Sequence, residues 1–359
     1  MNAAMQLNEM GQRLWLDNLT RGLLTSGTLA RYLRDYDVSG LTSNPSTFEA
    51  AIGSAGAYDA QIAAKAAEGL AGEALFFALA LDDVRAAADL FLPLHTRTQG
   101  LDGWVSLEVS PLLAHDAAAT LAAAKSLHAR AARPNVFIKI PGTVEGLKAI
   151  EEAIFAGVPI NVTLLFSREQ YLATAQAYLR GIARRIEARL DPKVASVASL
   201  FVSRWDGAVN GKVPAALANQ LGIAVARRTY VAYRELLASP QWRHLAEQGA
   251  LPQRLLWAST GTKEPAAPDT LYVDALAAPN TIVTVPEKTL LAFADHGTVN
   301  GSMPPEGGDC EQVIAAFARA GIEEATLAEL LQQQGEAAFD KSWHSLLGVI
   351  AAKSAALPK

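Results

Sequence analysis

A single cysteine, Cys310, stands in 359 residues, so no internal disulfide can form and no cysteine cluster can hold a metal. That scarcity fits a reducing compartment, and Cys310 itself reads as an inert thiol. The six histidines are scattered, none with a partner at ligand spacing, and they form no metal constellation. Basic charge is short as well. Lys and Arg total 31 against 36 Asp and Glu, a formal net charge of −5, which leaves no cationic face for a nucleic-acid backbone. No stretch holds the about 18 consecutive apolar residues that a membrane-spanning helix needs. The opening residues lack a basic segment followed by an apolar one. The expectation is a cytoplasmic protein with neither nucleic acid nor membrane as partner.

What is present describes an ordinary globular chain: 50% hydrophobic residues and 19% charged, with a mean hydropathy of +0.14. The length admits either two average domains or one large single-core barrel. Short β-rich runs decide between them. They fall at 15–17, 40–42, 105–109, 136–140, 159–166, 194–202, 255–259 and 281–285, and helix-like sequence separates most of them. Eight such units predict an α/β fold, a single closed parallel (β/α)8 TIM barrel. No Pro-, Gly- or Ser-rich linker divides the chain and no internal repeat is visible, so the two-domain alternative is the weaker one. The Ala-rich stretch around 50–100 predicts inserted helices. Amphipathic segments such as 310–320 and 327–350 predict a helical C-terminal extension over about 301–359.

The middle of the chain can be read closely. Val136-Phe137-Ile138-Lys139-Ile140 is nearly all apolar, as a strand covered on both faces should be, and Pro141-Gly142 ends it. Leu147, Ile150 and Ile154 then recur at helical spacing up to Gly157, which completes a right-handed βαβ unit with the next run. Ser167 with Gln170 fits a capping box for the following helix. Arg180, Arg184, Arg185 and Arg189 along that helix read as a solvated face rather than a phosphate patch.

Seven of the runs carry a polar residue at or near the C-terminal end: Asp17, Asn44, Glu108, Lys139, Asn161 with Thr163, Ser199 and Ser259. Barrels put their active sites at that end, so the pattern implies a shared pocket. Lys139 is the sharpest member. On a strand buried on both faces its ammonium must be desolvated, which favours the neutral, nucleophilic amine and imine chemistry with a ketone. The alternative is a stem that packs while the ammonium reaches out to water. Asp17 and Glu108 could move the protons such chemistry needs, or be a capping residue and an exposed strand charge. Glu108 points opposite to Leu107 and Val109, and so toward the barrel interior. Ser199, Arg204 and Lys263 are candidates for an anion, the last within Ala258-Ser259-Thr260-Gly261-Thr262-Lys263, which could equally be a plain loop. The spacing of a Walker loop is missing.

Three segments resemble the transaldolase family: Gly40-Leu41-Thr42-Ser43-Asn44-Pro45-Ser46, Phe137-Ile138-Lys139-Ile140-Pro141-Gly142-Thr143 and Asn161-Val162-Thr163-Leu164-Leu165-Phe166-Ser167. The likeness extends over nearly the whole chain and suggests the longer bacterial type. It implies a circularly permuted class I aldolase barrel without a cofactor. The reaction implied moves a dihydroxyacetone unit from sedoheptulose 7-phosphate or fructose 6-phosphate to an aldose phosphate. In that reading Lys139 forms the imine, Glu108 and Thr163 hold a water, and Asp17 is the acid/base for carbon–carbon cleavage. Asn44 and Asn161 bind the dihydroxyacetone hydroxyls, while Ser199 and Arg204 match phosphate contacts. One departure stands out: shorter relatives carry an arginine near the strand ending at Ser259, whereas the nearest cation here is Lys263. Two other readings remain, a fructose-6-phosphate aldolase and a silent sugar-phosphate-binding barrel. Glu108 and Phe201 argue against the aldolase, whose members tend to carry glutamine and tyrosine there. Partners are expected to be small sugar phosphates, and the oligomeric state, monomer or homodimer, is open.

Overall fold

In the computed structural model, which describes residues 2–54 and 56–356, the eight expected runs close into one parallel barrel in chain order. The strands are β1 (Arg13–Asp17), β2 (Val38–Thr42), β3 (Trp104–Glu108), β4 (Val136–Pro141), β5 (Ile160–Leu165), β6 (Ser196–Phe201), β7 (Gln253–Ala258) and β8 (Ile282–Val285). β8 pairs with β1 and closes the ring. β7 stops one residue short of the expected end, because Ser259 turns into the left-handed region at φ +53°.

Alternation along each strand builds two separate cores. Leu14, Leu16, Val105, Leu107, Ile138 and Ile140 point outward and pack against the helices. Trp15, Trp104, Phe137, Val197, Leu256 and Ile282 belong to a second apolar cluster that fills the lower barrel. Trp104 stacks on Phe137 at 4.0 Å between ring centroids. Gly40 is dictated by this layer: a Cβ there would lie 2.4 Å from the Trp15 ring. Two residues further along its strand, the same inward face carries Asp17, Thr42, Lys139, Ser199 and Thr284, and on β3 it carries Ser106 and then Glu108.

The helices follow from local signals. Thr143 caps Val144–Phe155 by accepting from the Gly146 amide. Both halves of the Ser167/Gln170 capping box are formed on Arg168–Glu187. The arginines of that helix lie on a solvated face, as expected, with Arg180 52% and Arg184 35% exposed. Arg180 and Arg184 pair with Glu151 and Glu152 of the preceding helix at 2.6–3.1 Å and tie the two together. Helices Pro45–Ser54, Asp59–Ala67 and Gly72–Arg97 occupy the stretch between β2 and β3. After β8 come Cys310–Arg319 and a 33-residue helix, Glu324–Ala356, longer than its apolar pattern foretells. No described helix is long and apolar enough to cross a membrane.

The N-terminal end of the barrel is closed by a buried charge network. Asp102 accepts from Arg13 at 2.8 Å and from Arg254 at 3.1 Å, with its side chain 3% exposed. Burial alone would depress the Arg254 guanidinium, and Asp102 opposes that. Replacing Asp102 by Ala strands two cations in or near the interior and should cost about 3–5 kcal/mol. The expected result is a large drop in the urea midpoint. Arg13→Ala should cost less, because Asp102 keeps Arg254 as its partner.

Candidate active site

The C-terminal ends of the strands surround a cavity of about 160 Å³. Its wall contains Asp17, Asn44, Lys139, Thr163, Ser199, Phe201, Arg204, Ser259 and Lys263, all expected site residues. Glu108 and Asn161 are not in the wall. Each sits behind a wall residue, Glu108 behind Lys139 and Asn161 behind Ser199. A larger cavity, about 210 Å³, opens at the other end of the barrel under Trp15, Trp104 and Phe137. Its lining has no lysine, histidine, cysteine or carboxylate, and its one cation, Arg254, is already paired with Asp102, so the ionisable cluster lies at the C-terminal mouth.

Strand register brings the central groups together. Lys139 pairs in the sheet with Glu108 on one side and Asn161 on the other, which puts three inward side chains in one row. Lys139 Nζ donates to Glu108 Oε2 at 3.3 Å and to the Ser43 carbonyl at 3.2 Å. Both side chains are almost dry, 7% and 6% exposed. The stem does not carry the ammonium out to bulk water, which settles the alternative left open by the sequence. Burial pushes the Glu108 carboxyl above the usual glutamate range, the Lys139 charge pulls it back, and the Asp17 charge adds to the rise. The net direction is up, so Glu108 is a carboxyl ready to hold a proton where exposed carboxyls are ionised.

Asp17 stands at the end of β1, half-buried, and accepts from Thr42 at 2.8 Å and from Asn44 at 3.4 Å. Asn44 is partly committed: its Oδ1 accepts from the Thr47 amide and hydroxyl and from Ser46, which caps the helix that begins at Pro45. Asn161 is fully buried, donating to Ser106 at 3.1 Å and accepting from Ser199 at 2.7 Å. The Ser199 proton is therefore spent on Asn161. The Thr163 hydroxyl is buried in the wall with no hydrogen-bond partner.

Arg204 is the anion-seeking group. Burial lowers its pKa, yet a guanidinium stays charged. Among the described residues no carboxylate lies within ion-pair distance of it, and it rests 5.2 Å from the centroid of the Phe201 ring. Lys263 is exposed at the cavity's edge, beside Ser259 and Gly261. Seven wall residues were not among the expected site residues: Thr42, Ser46, Ala258, Gly261, Thr284, Pro286 and Phe339. Thr42 and Thr284, bonded to each other at 2.8 Å, stood at strand ends and were within reach of the same argument. Phe339 comes from the C-terminal helix, about two hundred positions from Lys139 in the chain, and no local signal announces it.

A primary amine against a buried carboxyl, a second carboxylate across the mouth and an unpaired guanidinium form a set suited to imine chemistry on a carbonyl compound with an anionic group. The family described as Transaldolase/Fructose-6-phosphate aldolase matches residues 14–350 of the chain. A transaldolase of Arthrobacter sp. (strain FB24) is 45% identical over 352 residues, covering 96% of this chain and 95% of the relative. One from Frankia alni is 44% identical, with 98% and 97% covered. One from Neisseria gonorrhoeae is 42% identical, with 94% and 96% covered.

The raised Glu108 carboxyl has a direct readout. In an infrared pH titration of the free protein, a protonated-carboxyl band should persist above 4.5, the ordinary value for glutamate. The band should vanish from the difference spectrum of Glu108→Gln. Loss of the wild-type band at or below the ordinary value would contradict the assignment.

Proposed function

The chain belongs to the transaldolase/fructose-6-phosphate aldolase family, and from that premise we propose that it is a transaldolase working through a Schiff base on Lys139. The supporting observation is the dry Lys139–Glu108 contact at the C-terminal mouth of the barrel. The donor is a ketose phosphate, fructose 6-phosphate or sedoheptulose 7-phosphate. The acceptor is glyceraldehyde 3-phosphate or erythrose 4-phosphate, as in the non-oxidative pentose phosphate pathway. The lone, buried Cys310 suits work in the reducing cytoplasm.

The steps follow from the placement of the groups. Lys139 gives up a proton and its amine adds to the ketone carbon; Glu108 Oε2, at 3.3 Å, is the nearest carboxyl to receive that proton. Loss of water from the adduct forms the protonated imine. The unpartnered Thr163 hydroxyl and Glu108 are assigned to hold that water. Asp17 takes the proton from the hydroxyl next to the scissile bond. The carbon–carbon bond then breaks, its electrons flowing into the iminium, and an aldose phosphate departs. An enamine of dihydroxyacetone stays on Lys139, attacks the incoming aldehyde, and the steps reverse. The iminium supplies the electron sink, so the reaction calls for no cofactor. The amide of Asn44 and the Asn161–Ser199 pair are assigned to the hydroxyls of the three-carbon unit. The phosphate falls to Arg204, with Lys263 as a mobile cation at the edge.

The test is a coupled assay that measures transfer from fructose 6-phosphate to erythrose 4-phosphate alongside free dihydroxyacetone. Transfer should dominate. Preferred release to water would make the chain a fructose-6-phosphate aldolase, and no turnover of either kind would make it a binding protein. Lys139→Ala should lose transfer altogether. Asp17→Asn should lower kcat by about 10²–10⁴-fold, the usual contribution of a positioned acid/base.

A further inference from the structure

The helix Glu324–Ala356 crosses the mouth of the barrel and is fastened along its length. Glu324 in its first turn pairs with Arg228. Gln332 donates to the carbonyls of Gly142 and Leu164, at the ends of β4 and β5, at 3.2 and 2.9 Å. The Leu164 carbonyl is turned up to meet it by a break in the β5 register, where Leu164 adopts φ +59°. Glu336 binds His115 at 3.0 Å. Further on, Trp343 packs edge-on against Phe76 and donates to Glu73 at 2.8 Å. Gly335 lets the helix come this close: a Cβ there would lie 2.8 Å from Leu164 Cδ2 and 3.2 Å from the Arg204 guanidinium.

This fixed roof directs one side chain at the reacting group. The Phe339 ring lines the cavity, half-buried, with its centroid 5.8 Å from Lys139 Nζ. The same wall carries the polar groups of Asp17, Asn44, Thr163 and Ser199. A phenyl ring in that position is costly to hydrate and repels water from the space above Nζ.

We infer that Phe339 is a specificity-determining residue, keeping bulk water from the three-carbon fragment bound to Lys139 so that the fragment leaves by transfer to an aldehyde rather than by hydrolysis. The inference rests on the Schiff-base transaldolase reading above. The reaction it suppresses is simple. The enamine carbon takes a proton, water adds to the resulting iminium carbon, and the carbon–nitrogen bond breaks. The products are free dihydroxyacetone and the Lys139 amine, with one water consumed. Phe201 forms another apolar wall but sits on a strand under Arg204, whereas Phe339 comes from outside the barrel and stands over the amine.

The experiment measures the ratio of dihydroxyacetone released to fragments transferred, with fructose 6-phosphate and saturating erythrose 4-phosphate. In Phe339→Ala the ratio should rise by about tenfold over wild type. Phe339→Leu, which retains apolar bulk, should stay near the wild-type ratio. A purely structural role would lower release and transfer together and leave the ratio unmoved. If Phe339→Ala does not fold, Phe339→Val withdraws the ring while keeping an apolar helix surface and is judged by the same rise. An unchanged ratio in the folded variant, or equal leakage from Phe339→Leu and Phe339→Ala, would overturn the inference. Wild type that transfers nothing would instead sink the transaldolase reading.

Discussion

The contact between Lys139 and Glu108 is the constraint on which the site depends. Two ionisable groups withdrawn from water cost several kcal/mol each unless they meet, and these meet at 3.3 Å with less than a tenth of either side chain exposed. Neither can be buried alone without strain on its charge state. Together they hold nitrogen and oxygen within hydrogen-bond reach, the placement that the proposed imine cycle on Lys139 requires. The barrel imposes this pairing: adjacent parallel strands put Glu108 and Lys139 opposite each other in register, and alternation turns both inward.

The rest of the fold supports that row. Below it, Trp15, Trp104 and Phe137 form an apolar layer across the barrel, with Trp104 stacked on Phe137. Beside it, Asn161 is locked between Ser106 and Ser199, so its amide is oriented before any substrate arrives. Above it, the C-terminal helix is fixed by its contacts with Arg228, the strand ends and Phe76. Arg204 is left with no carboxylate partner among the described residues, and Gly335 keeps the helix clear of its guanidinium. The site is thus dry at the amine and open at the cation, an arrangement that suits a sugar with a phosphate at its far end.

Much of this was legible in the sequence, for a physical reason. A buried parallel strand is a short apolar run, and a polar residue at its end has few places to point, so the eight strands and six of the wall residues could be read one strand at a time, while Arg204 and Lys263 were read from residue type and Phe201 from the family resemblance. Glu108 was placed inward from alternation alone. What was not legible depends on distant contacts. Nothing near Phe339 or Gly335 distinguishes them from the rest of an Ala- and Gln-rich amphipathic helix, since their roles arise where that helix lies on β4 and β5. The same holds for Ser199. Its residue type suits a phosphate, but the hydroxyl proton turns toward Asn161, a partner that only the barrel's closure supplies. The solvated arginine face of Arg168–Glu187 was legible, but the partners of Arg180 and Arg184, Glu151 and Glu152, sit on another helix and were not.

The account stands on a covalent bond between a ketose and one named nitrogen. Borohydride reduction in the presence of fructose 6-phosphate, followed by peptide mass mapping, examines that bond most directly. A stable adduct on the peptide containing Lys139, absent from the Lys139→Ala variant, is the predicted result. An adduct that survives in that variant, or none with the wild-type protein, would contradict the account.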